Sequence, residues 1–344
     1  MSVNYASVLW NEQKKTYDKI LWLGILLCII SYAGFHLAFH PETTIETVII
    51  RATALTAFLL LHIILVIGPL CRINSLFLPL LYNRRHMGVS MFFIALIHGI
   101  FSIIQFHALG DTNPLVSIFT SNQNYSAISE FPFQTLGFFA LLILFFMAAT
   151  SHDFWLKNLS PRIWKALHMS VYLAYGLIVL HVALGALQYE SHPIYWAMLV
   201  GGFVSISGLH LYSGLKENRR LTADKNTLEK NGFYEVCAIE EINEKCAKTV
   251  FINGENIAIF KYDEKISAVH NVCKHQMGPL GEGKIVDGCI TCPWHGYQYL
   301  PENGKSPAPF TEKVKTFETK VLNGKVWVNP NPKAEGTFVE PTKI

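Results

Sequence analysis

The sequence predicts a multi-domain membrane protein, a six-helix transmembrane bundle followed by a small all-β domain. Three observations carry that prediction. Six long apolar stretches lie before about residue 220; short β-branched segments with Asn-Gly turns lie after it; and this second part holds a Cys- and His-rich run, "CKHQMGPLGEGKIVDGCITCPWHGYQY", at residues 273–299. Over 344 residues, 51% are hydrophobic and only 15% charged, an average that hides a sharp division. The expected units are an N-terminal segment 1–19, a transmembrane domain 20–215, a linker 216–231, a β domain 232–330 and a tail 331–344.

Crossing a hydrocarbon core takes ~20 residues of helix, and the stretches 20–39, 47–71, 87–108, 131–150, 163–187 and 194–215 meet that need. The polar start "MSVNYASVLWNEQKKTYDK" leads into a long apolar run without a small-residue cleavage site, so no removable signal peptide is expected. Basic residues set the orientation. Lys14, Lys15 and Lys19, then Arg72, Arg84 and Arg85, then Lys157, Arg162 and Lys165, then Lys216, Arg219, Arg220 and Lys225 all fall on one side. The opposite loops "HPETTIE", "GDTNPLVSIFTSNQNYSAISE" and "YESHP" carry no Lys or Arg. Both termini and the β domain are therefore expected in the cytoplasm, with the bundle in the inner membrane. A reducing compartment agrees with Cys28, Cys71, Cys237, Cys246 and Cys289 remaining thiols. The formal charge of +3 follows from this topology, so lipid is an expected partner and nucleic acid is not.

After the linker, "FYEVCAIEEI", "KTVFING", "ENIAIFKYD", "KISAVHNV" and "KTFETKVLNGKVWVN" read as short strands joined by turns. Between them the chain supplies Cys273-x-His275 and, sixteen residues on, Cys292-x-x-His295. Each half offers one thiolate and one imidazole. Such a set can hold one tetrahedral zinc or a 2Fe-2S centre with two Cys on one iron and two His on the other. Zinc fingers usually pair Cys with Cys and His with His, and neither half does so. Gly278 and Gly281 are expected to let the first ligand loop turn, and Pro293 and Gly296 the second. A third loop, "SPAPF", with Pro307 and Pro309, is expected to form a stiff apolar lid.

Ionisable residues inside a membrane are costly and usually functional. His86 and His98 in the third span are twelve residues apart, and His168 and His181 in the fifth are thirteen apart. These spacings correspond to roughly 18 and 20 Å of helix. Two rungs are expected, His86 with His168 near the inner face and His98 with His181 toward the outer, each able to bind one b-type heme by two imidazoles. His62 in the second span is the alternative inner ligand to His86. Twelve or thirteen residues do not return to one helix face, so a tilt or local distortion must help.

The Cys-x-His and Cys-x-x-His pairs make residues 232–330 resemble the Rieske 2Fe-2S family, which implies iron ligation by Cys273, His275, Cys292 and His295. High-potential members carry two further cysteines where this chain has Met277 and Trp294, and a serine where it has Tyr297. The resemblance thus implies one lost hydrogen bond, with Tyr299 retained as a donor to sulfur and a potential toward the low end of the Rieske range.

The stretches "NRRHMGVSMFFIALIHGIF" and "WKALHMSVYLAYGLIVLH" resemble the ferric reductase-like transmembrane domain, in particular the heme-binding membrane subunit of the bacterial methionine-sulfoxide reductase system. That resemblance implies heme ligation by His98, His168 and His181; His86 matches the inner ligand of NADPH oxidases. No G-x-G-x-x-G follows a strand, so a separate cytoplasmic donor, a flavin or ferredoxin reductase, is expected. The expected function is an electron-transfer oxidoreductase with a 2Fe-2S cluster and one or two b hemes, passing electrons from that donor to an acceptor at or across the membrane. Two alternatives are a membrane-tethered Rieske ferredoxin or redox sensor, and a Rieske-fed membrane oxygenase.

Overall fold

The computed structural model describes residues 12–81, 83–151, 159, 161–189, 193–223, 229–275, 277–293, 296–308 and 310–344. The chain divides into two compact units between Ser213 and Gly214, a division that falls within the last helix of the first part.

The first unit is helical: α1 Glu12–Phe39, α2 Ile45–Ile73, α3 Leu78–Leu81, α4 Arg84–His107, α5 Pro114–Thr120, α6 Phe133–Ala149, α7 Pro161–Met169, α8 Val171–Leu184, α9 Ala186–Tyr189 and α10 Pro193–Ala223. Five helical stretches within it are long and apolar enough to cross a membrane, and α6 is a shorter apolar helix of 17 residues. A six-span bundle was expected; Pro132 at the N-cap delays the fourth helix to Phe133, because its ring disfavours helix at the residue before it. The first helix begins at Glu12 rather than near residue 20, since "EQKKTYDK" consists largely of helix-tolerant residues and Lys15 pairs with Glu12 at 2.8 Å. The last runs on to Ala223, into the expected linker, because no Gly or Pro follows Gly214 before that point.

The fifth span is broken. Ser170 donates its amide to Leu167 O at 3.1 Å, an i to i−3 bond tighter than the α pattern, and its hydroxyl donates to the same carbonyl. His168 and His181 consequently stand on separate helices, α7 and α8. Helix α2 occupies the middle of the bundle, with Leu61, Leu65 and Ile67 fully buried. Leu23, Ile30, Phe35, Phe106, Leu173 and Val204 lie on the outside. Apolar exposure on this scale suits a hydrocarbon solvent, and the chain is a multi-pass membrane protein.

The second unit is all-β: β1 Glu229–Lys230, β2 Phe233–Ala238, β3 Ala247–Ile252, β4 Glu255–Tyr262, β5 Lys265–His270, β6 Lys284–Val286, β7 Cys289–Thr291, β8 Gln298–Tyr299, β9 Thr316–Phe317, β10 Thr319–Leu322, β11 Lys325–Val328 and β12 Thr342–Lys343. They form sheets ordered β1-β2-β11-β10, β12-β5-β4-β3 with β9 beside β5, and β6-β7-β8. The hairpin turns fall where Asn-Gly predicted them. Asn253 and Gly254 have φ of 49° and 84°, and Asn323 and Gly324 have 52° and 73°, as a type I′ turn requires. Strand β4 is buried on both faces. Ile257 and Ile259 point into one core with Ile266, Phe317 and Val326, while Ala258 and Phe260 point into another with Val269, Leu280 and Ile290. Side chains alternate across a strand, so this one strand joins the sandwich interior to the platform beneath the Cys- and His-rich loops.

Candidate metal centres

Two loops on that platform carry the Cys and His residues, and their backbones match. Cys273 donates its amide to Gly278 O and its carbonyl accepts from Met277 N–H, both at 2.8 Å. Cys292 donates to Tyr297 O at 2.8 Å and its carbonyl accepts from Gly296 N–H at 2.9 Å. Each loop is thus closed by i+5 and i+4 bonds around its cysteine, even though the Cys–His spacings differ by one residue. This closure places the i+4 residue at positive φ: Gly296 at 73° and Met277 at 62°.

The expected role of Gly278 as the turn residue is therefore corrected, because the left-handed conformation falls on Met277. Gly281 serves close packing instead. A Cβ there would lie 2.2 Å from Thr249 Cγ2, and its amide donates to Asn271 Oδ1 at 2.6 Å.

Cys273 and Cys292 are buried, at 1% and 2% exposure. The Tyr299 hydroxyl accepts from Lys274 N–H at 3.0 Å, which leaves its proton for Cys273 Sγ at 3.4 Å. Burial, then the neighbouring Cys273, pushes the Tyr299 pKa upward, so this hydroxyl stays a donor. The His275 ring stacks on Tyr297 with centroids 4.7 Å apart and planes 10° apart. Tyr297 directs its hydroxyl to the Glu312 carboxylate, so the residue standing in the serine position donates to a carboxylate. His295 and Trp294 lie outside the described residues, as does Pro309 of the lid. Phe310, on that third loop, packs edge-on against Tyr297 at 5.0 Å. Among the described residues no group of three or more His, Cys, Asp or Glu side chains is assembled for one ion. Two buried thiols in twin loops, one with a hydroxyl donor, fit a 2Fe-2S centre, whose sulfur ligands are tuned by burial and hydrogen bonds.

In the helical unit the structure brings His98 and His181 together, with ring centroids 6.3 Å apart and planes at 78°. His98 Nδ1 lies 3.1 Å from Ile50 O and His181 Nδ1 2.8 Å from Phe133 O. A carbonyl only accepts, so both Nδ1 atoms carry the proton and both Nε2 atoms keep a lone pair, the tautomer a metal needs. Gly137 of α6 seats the second ring, since a Cβ there would lie 2.7 Å from His181 Cε1. This pair fits a bis-imidazole heme.

The other three histidines engage different partners. His86 Nδ1 pairs with Asp18 Oδ2 at 2.8 Å. His168 stacks on Trp164 at 3.7 Å and bonds its carbonyl through Nδ1 at 3.1 Å. His62 donates from Nδ1 to Phe58 O at 2.8 Å, has Tyr175 Oη 3.1 Å from Nε2, and presses on Gly202, where a Cβ would lie 2.3 Å from Nε2. Sequence reasoning missed the supporting groups Phe133, Gly137 and Glu312, and singled out Tyr297 only for a lost hydrogen bond. The first two show themselves only once helices pack, because one acts through a carbonyl and the other through a missing side chain.

Comparison with known proteins assigns both units. Residues 232–318 match the Rieske [2Fe-2S] domain, and residues 52–179 match the ferric reductase like transmembrane component. The chain is a ferric reductase-like membrane domain joined to a Rieske domain. It is an oxidoreductase. Its Rieske part is 32% identical over 93 residues to the anthranilate 1,2-dioxygenase ferredoxin subunit of Burkholderia cepacia, covering 27% of this chain and 86% of that one, and so belongs with the Rieske ferredoxins. Cholesterol 7-desaturase nvd of Xenopus laevis is 31% identical over 125 residues, covering 34% of this chain but only 28% of the desaturase. Among solved structures, the complex of reduced oxygenase and oxidized ferredoxin in carbazole 1,9a-dioxygenase aligns at a TM-score of 0.29 and 26% identity, over 31% of this chain and 100% of that one.

Proposed function

We propose that this ferric reductase-like Rieske protein passes electrons from a separate cytoplasmic donor, a flavin or ferredoxin reductase, to an acceptor at or beyond the membrane. When bound, a 2Fe-2S cluster and b-type heme supply one-electron oxidation and reduction; the chain's own residues hold, orient and bury them. Cys273, His275, Cys292 and His295 hold the cluster. His98 and His181 hold the outer heme, and His168 with His86, or with His62, the inner one. Asp18 is well placed to orient His86, as a carboxylate behind a ligating imidazole does. The charge asymmetry of the loops supports an orientation with both termini and the Rieske domain in the cytoplasm.

The observation that carries this reading is the His98–His181 pair, with both Nδ1 protons committed to carbonyls, inside an apolar bundle whose chain also supplies a Rieske module. A tethered ferredoxin has no use for two such imidazoles within hydrocarbon.

Pyridine hemochromogen analysis of the purified protein tests it. Bound b-type heme that falls in His98→Ala and in His181→Ala is expected; cluster-loaded protein without heme defeats it. A second reading, a Rieske-fed membrane oxygenase, draws on the likeness to the desaturase and needs a further His/His/carboxylate iron site. It predicts protein-bound mononuclear iron beyond that of cluster and heme.

A further inference from the structure

Tyr297 stands where high-potential Rieske proteins carry a serine, and its own hydroxyl donates to Glu312. Its surroundings give it another task. From the second loop, its carbonyl accepts the amide of Cys292 at 2.8 Å. Toward the first loop, its ring lies parallel to His275 at 4.7 Å and 10°, an arrangement that restricts tipping of the imidazole toward that face. Toward the third loop, its hydroxyl donates to Glu312, whose Oε2 also accepts from Thr311 N–H at 3.1 Å; Phe310 closes on the same ring at 5.0 Å and 68°. Tyr297 itself is 3% exposed. One buried residue therefore joins all three loops, the second through its carbonyl and the other two through its side chain.

We propose that Tyr297 is a positioning residue that fixes the orientation of the His275 ligand and ties the third loop down as a water-excluding cover, with Glu312 as its anchor. This rests on His275 being a cluster ligand. A planar ring sets the direction of an imidazole better than an aliphatic one, because parallel stacking restricts tilt as well as translation. The cover has an electrostatic consequence. The reduced cluster is the more negative form, and water reaching it stabilises that charge, so an uncovered cluster is easier to reduce.

Full-length protein is reduced and examined by low-temperature electron paramagnetic resonance and by potentiometric titration. Tyr297→Phe keeps the ring and is expected to retain the parent g-values. Tyr297→Leu removes the stack and is expected to change the g-values and raise the midpoint potential. Tyr299→Phe moves the potential the other way, since it removes the hydroxyl that favours the reduced sulfur, and so separates lost cover from a lost hydrogen bond. Glu312→Leu leaves the ring and frees the third loop; a smaller upward shift is expected, and this variant decides the matter if Tyr297→Leu does not load. Parent g-values and potential in a cluster-loaded Tyr297→Leu, or in Glu312→Leu where Tyr297→Leu is unloaded, overturn the proposal. A parent without any Rieske signal removes instead the cluster reading beneath it.

Discussion

A glycine carries much of the argument at the residue scale. Gly137 has no side chain, and His181 uses the vacated space, with Phe133 O four residues earlier on the same helix face holding its Nδ1 proton. Adding one methyl forces the ring or the helix to move, an overpacking cost of roughly 1–3 kcal/mol. Gly137→Ala is therefore expected to lower heme occupancy at the His98–His181 pair and to alter its low-spin resonance signal. Gly176→Ala, at a site with nothing within 4 Å, is expected to leave both unchanged. An unaltered heme spectrum in Gly137→Ala would separate the glycine from the ligand. Met277 is the opposite case, a side chain held at φ 62°, where the matching position of the twin loop has Gly296. Its left-handed backbone costs on the order of 1 kcal/mol.

At the scale of elements, the segment expected to be a tail belongs to the β unit. Strand β12 pairs with β5 through Thr342 and Ile266. Lys333 N–H donates to Thr316 O at 2.9 Å, Val339 N–H donates to Glu302 O at 2.8 Å, and Glu335 meets Lys274 of the first ligand loop at 2.5 Å. The two backbone bonds contribute roughly 1 kcal/mol each, while the exposed ion pair adds little. Deleting residues 331–344 is expected to lower the temperature at which the 2Fe-2S absorbance is lost by at least about 4 °C, the shift that accompanies 1 kcal/mol in a domain near 100 residues. An unchanged loss temperature would make the segment dispensable. In the membrane unit the turn at Ser170 divides the fifth span, so His168 and His181 belong to two helices, α7 and α8.

Across the whole molecule, two solvents shape one chain. The helical unit exposes apolar side chains to lipid, whereas the β unit balances buried and charged groups in water, so pH acts most clearly on the second. His270 is held below its ordinary pKa mainly by burial, against the opposing pull of Glu255. A histidine whose folded value is depressed adds stability above its unfolded pKa of about 6.5, and that stability is lost as pH falls through the folded value. Thermal unfolding followed by cluster absorbance should thus show the β unit weakening as pH drops below about 6.5, with a flatter dependence in His270→Asn. The same slope in both would assign the effect to other groups.

The sequence by itself determined the class of each unit: apolar length is a direct requirement of the bilayer, Asn-Gly turns follow from backbone sterics, and Cys-x-His with Cys-x-x-His follows from the donors that iron accepts. It also indicated His98 and His181, since a histidine in hydrocarbon needs a reason to be there. Only the tertiary structure decided how those residues are held. The acceptors of Ile50 and Phe133 are backbone carbonyls that any residue would supply. The seat at Gly137 exists only where α6 meets α8. The partner of the Tyr297 hydroxyl is Glu312, fifteen residues along the chain and on another loop. A local motif records which atoms can bind a metal, whereas their orientation is set by contacts between segments that chain order does not bring together.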